Sequence, residues 1–457
     1  MPFETDHFIT AVYRPNSISN GGTTALFEEY TYTSQGNYAS VSRYAPGAPN
    51  NKLTTTFTYD ATGQWLVCRT GPDGVDTEYD YDSYGRLIEV THPSLGVNGI
   101  QYTYDAQGNR ASTMDPLGNT TTYTYDARGN MTSTTNALNQ TTTMTYDDEG
   151  RVVSVTDPLN NTTQYEYVDA TCGCGGMGKI ARITDALNQV TEFEYDLAGN
   201  MILSRDALDR ETAYEYDALN RMTAIESPAD SNKRMIFAYN RLGHLVSRTD
   251  FMERTTTMTY DHQGRITSRT DPVDAVYYAY NAAGLLISVT DEANQVTNYA
   301  YDAGMRPWLE YNGLYKFRRI CYDAQGRVSK VGAGTDASID PVQFFYSATT
   351  GLLTKTRYWS GATYHDADYV YDGAARVARI NDWLDGTVGI QYAYDALGRL
   401  STLTEYSLSK QLSYTYDAAG RIASMTDYNG HTTNYTHTAR GELASITAPG
   451  SKVWTFA

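Results

Sequence analysis

Residues 123–161 read YTYDARGNMTSTTNALNQTTTMTYDDEGRVVSVTDPLNN. Tyr125-Asp126 opens a turn that closes on Gly129. A polar strand then runs to a second turn at Asn136-Ala137-Leu138-Asn139, and a Thr-rich strand returns to Tyr146-Asp147. The step from Tyr125 to Tyr146 is 21 residues, and it recurs. Anchors fall at Tyr59, Tyr81, Tyr104, Tyr125, Tyr146, Tyr167, Tyr195, Tyr216, Tyr239, Tyr260, Tyr280, Tyr301, Tyr322, Tyr346, Tyr371, Tyr394 and Tyr416, with His437 in the corresponding place of a last, altered unit.

Each unit predicts two strands and two turns. Tyr-Asp-x-x-Gly puts Asp at position i and Gly at i+3 of a type I turn, where Gly can take a left-handed conformation. The second turn uses the same chemistry. Asp115-Pro116-Leu117-Gly118 places Pro where its fixed φ fits, and Asp157-Pro158-Leu159-Asn160 and Asp206-Ala207-Leu208-Asp209 replace Gly with residues that tolerate φ > 0. Six or seven residues between turns make strands. Alternation puts Tyr123 and Tyr125 on one face and Thr122 and Thr124 on the other. Stacked hairpins should align the aromatic residues into ladders of cross-strand contacts.

Composition agrees with a thin, hydrated sheet. There are 41 Tyr but 11 Phe and 5 Trp, and the mean hydropathy is -0.50. Such a chain cannot build a large oily core. About 19 units of two strands give on the order of 38 strands, too long for a flat open sheet, because strands twist and long sheets curl. The expected fold is all-β: a long antiparallel sheet of hairpins that coils into a hollow or partly open shell. A β-propeller is the other reading, since two units approach the length of a four-stranded blade. It calls for alternation between odd and even units, which the sequence does not show. Residues 1–29 fall outside the repeat and read as a cap or a degraded unit. The array occupies 30–457, with a Gly/Cys insertion at 171–178 and an irregular stretch at 303–385.

A formal charge of -18 and a pI of about 4.8 argue against nucleic acid and against an anionic membrane surface. No apolar run approaches the roughly 20 residues that span a bilayer, so no membrane insertion is expected. The start has no apolar signal region. The chain stops at Trp454-Thr455-Phe456-Ala457, where the pattern demands Tyr-Asp next, and reads as a segment of a longer protein.

The unit [Tyr/Phe]-x-Tyr-Asp-x-x-Gly-[Arg/Asn]-[Leu/Met/Val]-x-Ser-x-Thr-Asp, seen at Tyr125–Thr135, Tyr146–Asp157, Tyr195–Asp206, Tyr260–Asp271, Tyr280–Asp291 and Tyr416–Asp427, resembles the YD repeat of RHS-repeat proteins. That family includes bacterial RHS effectors, components of insecticidal toxin complexes, wall-associated proteins and the teneurins. The resemblance implies a spiralling sheet wound into a hollow shell, which in the toxins encloses a C-terminal cargo. In cell-surface members the repeats are linked to carbohydrate binding and adhesion. The DPxGxxD-type core signature and self-cleaving site of the toxin members are absent here.

Candidate chemistry is sparse. Cys172-Gly173-Cys174 could form a metal or redox loop, but two thiolates fall short of structural zinc's four ligands. A Gly-rich hairpin insertion explains them equally. The repeated Asp residues serve turns, and equivalents about 10 Å apart do not converge on a calcium ion. Arg86, Arg151, Arg265, Arg327, Arg399 and Arg421 follow the turn Gly and can offset repulsion. Seven His form no readable triad, so no enzyme activity and no cofactor are expected. Asn119-Thr120-Thr121 and Asn161-Thr162-Thr163 match the glycosylation sequon, as Thr-rich turns do by chance. Trp308, Trp359 and Trp383 mark the first place to look for a ligand surface. Three functions stay open: a secreted or cell-surface shell that encloses or displays another polypeptide such as a toxin; an extracellular module for glycans or a partner cell; and end-to-end self-association into a fibre through open strand edges.

Overall fold

The computed structural model describes residues 11–15, 24–45, 48–96, 98–168, 177–228, 230–302, 306–313, 317–334, 342–359, 363–382, 389–406 and 408–456. Among them lie 40 strands of one sheet and one 3-10 turn, Pro93–Leu95. Pairing is antiparallel and follows chain order. Thr122–Tyr125 pairs with Met131–Thr135, Ser133–Thr135 with Thr141–Thr143, and Thr143–Tyr146 with Val152–Thr156. Because both the Tyr-Asp turn and the following turn join neighbours in the same sheet, the repeats fuse into a continuous strip and not into separate propeller blades.

The turns are built as their sequence predicts. At Asp126 the backbone N–H donates to Asn130 O at 2.9 Å, and Gly129 N–H donates to Asp126 O at 3.1 Å. Gly129 has φ 88, and the register slips by one residue between Thr124 and Tyr125. The second turns repeat the geometry, with Asn160 at φ 66 and Asp209 at φ 58 carrying the left-handed residue. The strands are slightly shorter than expected. Met131–Thr135 has 5 residues and Thr141–Tyr146 has 6, because the Asp and the residue after Gly are used to close the turn.

The strip therefore has two edges of turns. The Tyr-Asp turns form one, here called the tyrosine edge. The second turns, many with Leu at their third position, form the leucine edge. Faces alternate as well. Tyr123, Tyr125, Met144 and Tyr146 are half-buried, while Thr122, Thr124, Thr143 and Thr145 are exposed. Among the described residues only Val75, Pro116, Val168 and Ala224 are buried apolar side chains. The sheet is one layer thick in the sense that matters energetically: no second layer of side chains closes over either face to make a core.

The chain divides into two compact units, Met1–Thr121 with Ala279–Leu412 and Thr122–Tyr278 with Ser413–Ala457. Within the first, the leucine edge of the early segment meets the tyrosine edge of the late one. Arg327 Nη1 lies 4.0 Å from Asp73 Oδ2, and a Cβ added at Gly373 would stand 3.1 Å from Leu117 Cδ2. Within the second, Arg440 Nε pairs with Asp185 Oδ2 at 2.9 Å, and Arg440 Nη1 donates to Gln189 Oε1 at 2.9 Å. The early strand Ala11–Pro15 pairs with Thr24–Tyr32.

Candidate functional site

The chemistry of this chain is concentrated in the repeated corner and in what it reaches. The Asp that opens each turn uses both oxygens. Asp217 Oδ1 accepts from Leu219 N and Arg221 N at 2.9 and 3.0 Å, and Oδ2 accepts from Arg221 Nε at 2.7 Å. Where Asn replaces Arg the bond persists: Asn130 Nδ2 donates to Asp126 Oδ2 at 3.0 Å. These bonds hold the carboxylates below their ordinary range. The Arg221 side chain leads at Asp217 and the Asn130 side chain at Asp126. At Asp60 the Thr62 hydroxyl leads and the pKa falls to about 2.

The side chain four residues after the turn-opening Asp or Asn then faces the next anchor. The guanidinium of Arg86 lies 4.6 Å from the Tyr104 ring centroid, Arg151 4.6 Å from Tyr167, Arg221 4.7 Å from Tyr239, Arg306 4.1 Å from Tyr322 and Arg376 4.5 Å from Tyr394. His244 stacks on Tyr260 at 4.7 Å in the same place. Many anchor phenols in turn donate back to a strand carbonyl of the preceding repeat. Tyr146 reaches Met131 O at 2.7 Å, Tyr167 reaches Val152 O at 2.7 Å, Tyr195 reaches Ile180 O at 2.9 Å and Tyr394 reaches Val377 O at 2.8 Å. Burial raises the pKa of the Tyr195 phenol, so it remains a donor at neutral pH.

This corrects the expected aromatic ladder. Tyr123 faces Thr134 across the hairpin and Tyr125 faces Met131, so an aliphatic or Thr-bearing strand separates successive anchors. Anchor rings therefore mostly meet the turn-closing side chain of the preceding repeat, usually a cation and in one case Trp65 on Tyr81, while direct Tyr–Tyr contacts join Tyr38 to Tyr30 and Tyr32. The Arg residues expected only to soften repulsion bind both the turn carboxylate and the next ring. The resulting carboxylate–guanidinium–phenol–carbonyl relay ties neighbouring repeats together wherever Arg closes the turn, as at Arg86, Arg151, Arg221, Arg306, Arg327 and Arg376. Sequence reasoning missed it, although the signal was present as a cation, His or Trp after the turn Gly, roughly one repeat ahead of each Tyr.

The candidate ligand residues fare differently. Trp308 lies under Arg319 at 5.7 Å. Trp359 is 40% exposed and meets the Tyr364 ring edge-on at 4.8 Å. Each makes these contacts within its own hairpin, and among the described residues no ring contact joins the two. Cys172, Cys174 and Trp383 lie outside the described residues. Cys68 and Cys321 are free thiols. Among the described residues no group of three or more His, Cys, Asp or Glu could hold a metal, and no helix is long and apolar enough to cross a membrane.

Two clefts open between neighbouring turns of the leucine edge. One of about 390 Å³ is lined by Arg248, Asp250, Arg254, Arg269 and Asp271 among others. One of about 330 Å³ is lined by Arg182, Gln189, Glu192, Arg205 and Asp206 among others. Both alternate charge sign, and their carboxylates are occupied by guanidinium groups such as Arg254 on Asp250 at 2.7 Å.

Comparison with known proteins agrees with the geometry. The RHS Repeat family model matches residues 59–97, 104–141, 146–171 and 412–453, and the Teneurin YD-shell model matches residues 177–378. No curated protein matches the chain. Among solved structures, that of TcdB2-TccC3-TEV matches with a TM-score of 0.61 at 16% identity, over 95% of this chain and 26% of its own. The Photorhabdus luminescens Tc holotoxin pore matches with a TM-score of 0.57 at 15% identity, over 97% of this chain and 28% of its own. TcdB2-TccC3 without its hypervariable C-terminal region matches with a TM-score of 0.59 at 14% identity, over 95% and 27%. The chain thus spans about a quarter of the length of these structures, and at such identity the likeness speaks for the fold.

Proposed function

The chain belongs to the RHS/YD-repeat family, a family of structural β shells, and from that premise we propose that its sheet is a stretch of wall that encloses another polypeptide, such as a toxin, outside the cell that makes it. The observation that carries this reading is the relay between repeats. Among the described residues a sheet with almost no core is held by polar bonds between many neighbouring repeats. That arrangement suits a partition that must span distance with water on both faces. One of the similar structures is a Tc holotoxin pore, and this is the reason for choosing a toxin as the enclosed class.

The glycan reading receives less support. A sugar stacks on an aromatic ring by taking one of its faces, and the anchor rings already carry a guanidinium or imidazole on one face. Their hydroxyls are committed to backbone carbonyls. Of the two described candidate tryptophans Trp359 is the exposed one, and a single ring does not make a site.

Protection from protease tests enclosure. The protein is prepared together with the polypeptide fused to it or bound by it, and trypsin is added at a level that degrades that polypeptide when free. Enclosure requires it to survive while the sheet is folded and to be degraded once the sheet is denatured. Degradation at the free rate, with the strands still uncut, would overturn the reading.

A further inference from the structure

The contacts that join one run of repeats to another obey a single rule. In both units a leucine-edge turn meets a tyrosine-edge turn, as Asp73 meets Arg327 and as Gln189 meets Arg440 at a separation of 251 residues. In the second unit this contact covers only part of the leucine edge. Leu187, beside the Arg440 turn, is 44% exposed. Leu208, Met252 and Val273 hold the same third position in three further turns of that edge, the hairpin end between Ser227 and Asp230 standing between the first two, and are 73%, 73% and 84% exposed. The exposed Asp209 and Glu253 follow the first two of them. The row repeats the apolar side chain of the seated turn; its turn-opening Asp206 and Asp250 are paired with Arg210 and Arg254, which leaves Asp209 and Glu253 as its outward carboxylates, with no turn seated on it among the described residues.

The opposite edge of the same hairpins is its complement. Leu197, Leu219 and Leu242 on tyrosine-edge turns are 87%, 70% and 77% exposed, and Leu242 follows an exposed Arg241. Arg241-Leu242 offers Asp209 and Leu208 what Arg440 offers Asp185: a guanidinium for the carboxylate and a turn to pack against.

We propose that the row Leu208, Met252 and Val273 docks the tyrosine edge of a second copy of this chain, at Leu197, Leu219, Arg241 and Leu242. The argument is continuity with the edge-to-edge contact already made inside the second unit, together with the match of charge. The contact is heterologous, since two different edges meet. Each added copy presents a fresh edge, and growth does not close by symmetry. It is distinct from pairing of open strand edges, because turns meet turns and no ladder hydrogen bond is made.

Sedimentation of two complementary variants tests it. The first, Leu208→Glu/Met252→Glu/Val273→Glu, blocks the leucine edge. Glu149 occupies the same third position in the turn Asp147–Gly150, so glutamate fits the corner, and circular dichroism confirms folding. The second, Leu219→Glu/Arg241→Glu/Leu242→Glu, blocks the tyrosine edge. The wild-type chain should associate in an open series as concentration rises. Each variant alone should need at least about tenfold more protein for the same average mass, a change of about 1.4 kcal/mol. Mixed, the two should form a closed dimer through the one intact pair of edges. A wild-type chain that stays monomeric overturns the proposal. So does association undiminished in both variants, or a mixture that does not dimerise.

Discussion

Replacing Tyr167 by Phe removes one oxygen and leaves the ring. In the structure that oxygen donates to Val152 O at 2.7 Å, while Arg151 stays 4.6 Å over the ring and remains paired with Asp147 at 2.7 Å. The substitution thus isolates the bond that ties one repeat to its predecessor. Such a bond contributes about 1 kcal/mol net, and the site is half-buried, so water can replace part of it. Global unfolding is a poor measure here, since a long repeat array need not unfold as one unit. Hydrogen exchange followed peptide by peptide is the suitable assay. A loss of about 1 kcal/mol multiplies local exchange about fivefold, and the rise should be confined to the hairpins of residues 146–167. Tyr167→Leu should lose a further ~0.5–1 kcal/mol, because the guanidinium no longer has a ring beneath it. Unchanged exchange in Tyr167→Phe, or a rise spread evenly over the chain, would refute the relay.

Other expectations follow from the same geometry. Gly118 sits at φ 87 with nothing within 4 Å of an added Cβ, so Gly118→Ala should cost about 1 kcal/mol from backbone conformation alone. Asn139→Gly at φ 58 should cost nothing or stabilise slightly, and both are read from exchange in the flanking strands. Asp366 accepts Arg357 Nε at 2.6 Å, Arg357 Nη2 at 2.9 Å and Lys355 Nζ at 2.9 Å. Asp366→Asn should destabilise residues 353–371 by about 2 kcal/mol, since it takes the carboxylate from Arg357 and leaves Lys355 only Asp368 at 3.4 Å. Acid should act on the turns. Asp60 has its folded pKa lowered from 3.8 to about 2, so its contribution is fully present above the unfolded value and is lost as pH falls through the folded one. Resistance to unfolding should therefore hold to pH ~5 and decline between about 4 and 2, with a smaller decline in Asp60→Asn.

Much of this fold was legible because its determinants are local. A turn needs Asp at one place and Gly or Asn three residues on. Both can be read at Asp126 and Gly129 or Asp157 and Asn160, and the structure gives the positive φ these residues were expected to take. Alternation in Tyr123-Thr124-Tyr125 likewise assigns faces without tertiary knowledge. The relay was harder, since it joins Arg151 to Tyr167 and Tyr167 to Val152 across different strands. Periodicity shows that both recur but not that they touch. The contact of Arg440 with Asp185 was not legible. It depends on how a long strip bends, summed over many small twists, and no residue on either turn announces its distant partner. Trp308 and Trp359 stood out by rarity, yet their described contacts are to Arg319 and Tyr364 of their own hairpins.

The central claim is that polar ties between repeats replace a buried core, and the heat capacity of unfolding tests it most directly. Exposure of apolar surface sets that quantity, at about 12–15 cal/mol/K per residue in ordinary globular domains. With only Val75, Pro116, Val168 and Ala224 as buried apolar side chains among the described residues, calorimetry should return a value clearly below that range. A value within or above it would mean that a hydrophobic core holds the chain together, and the account would be wrong.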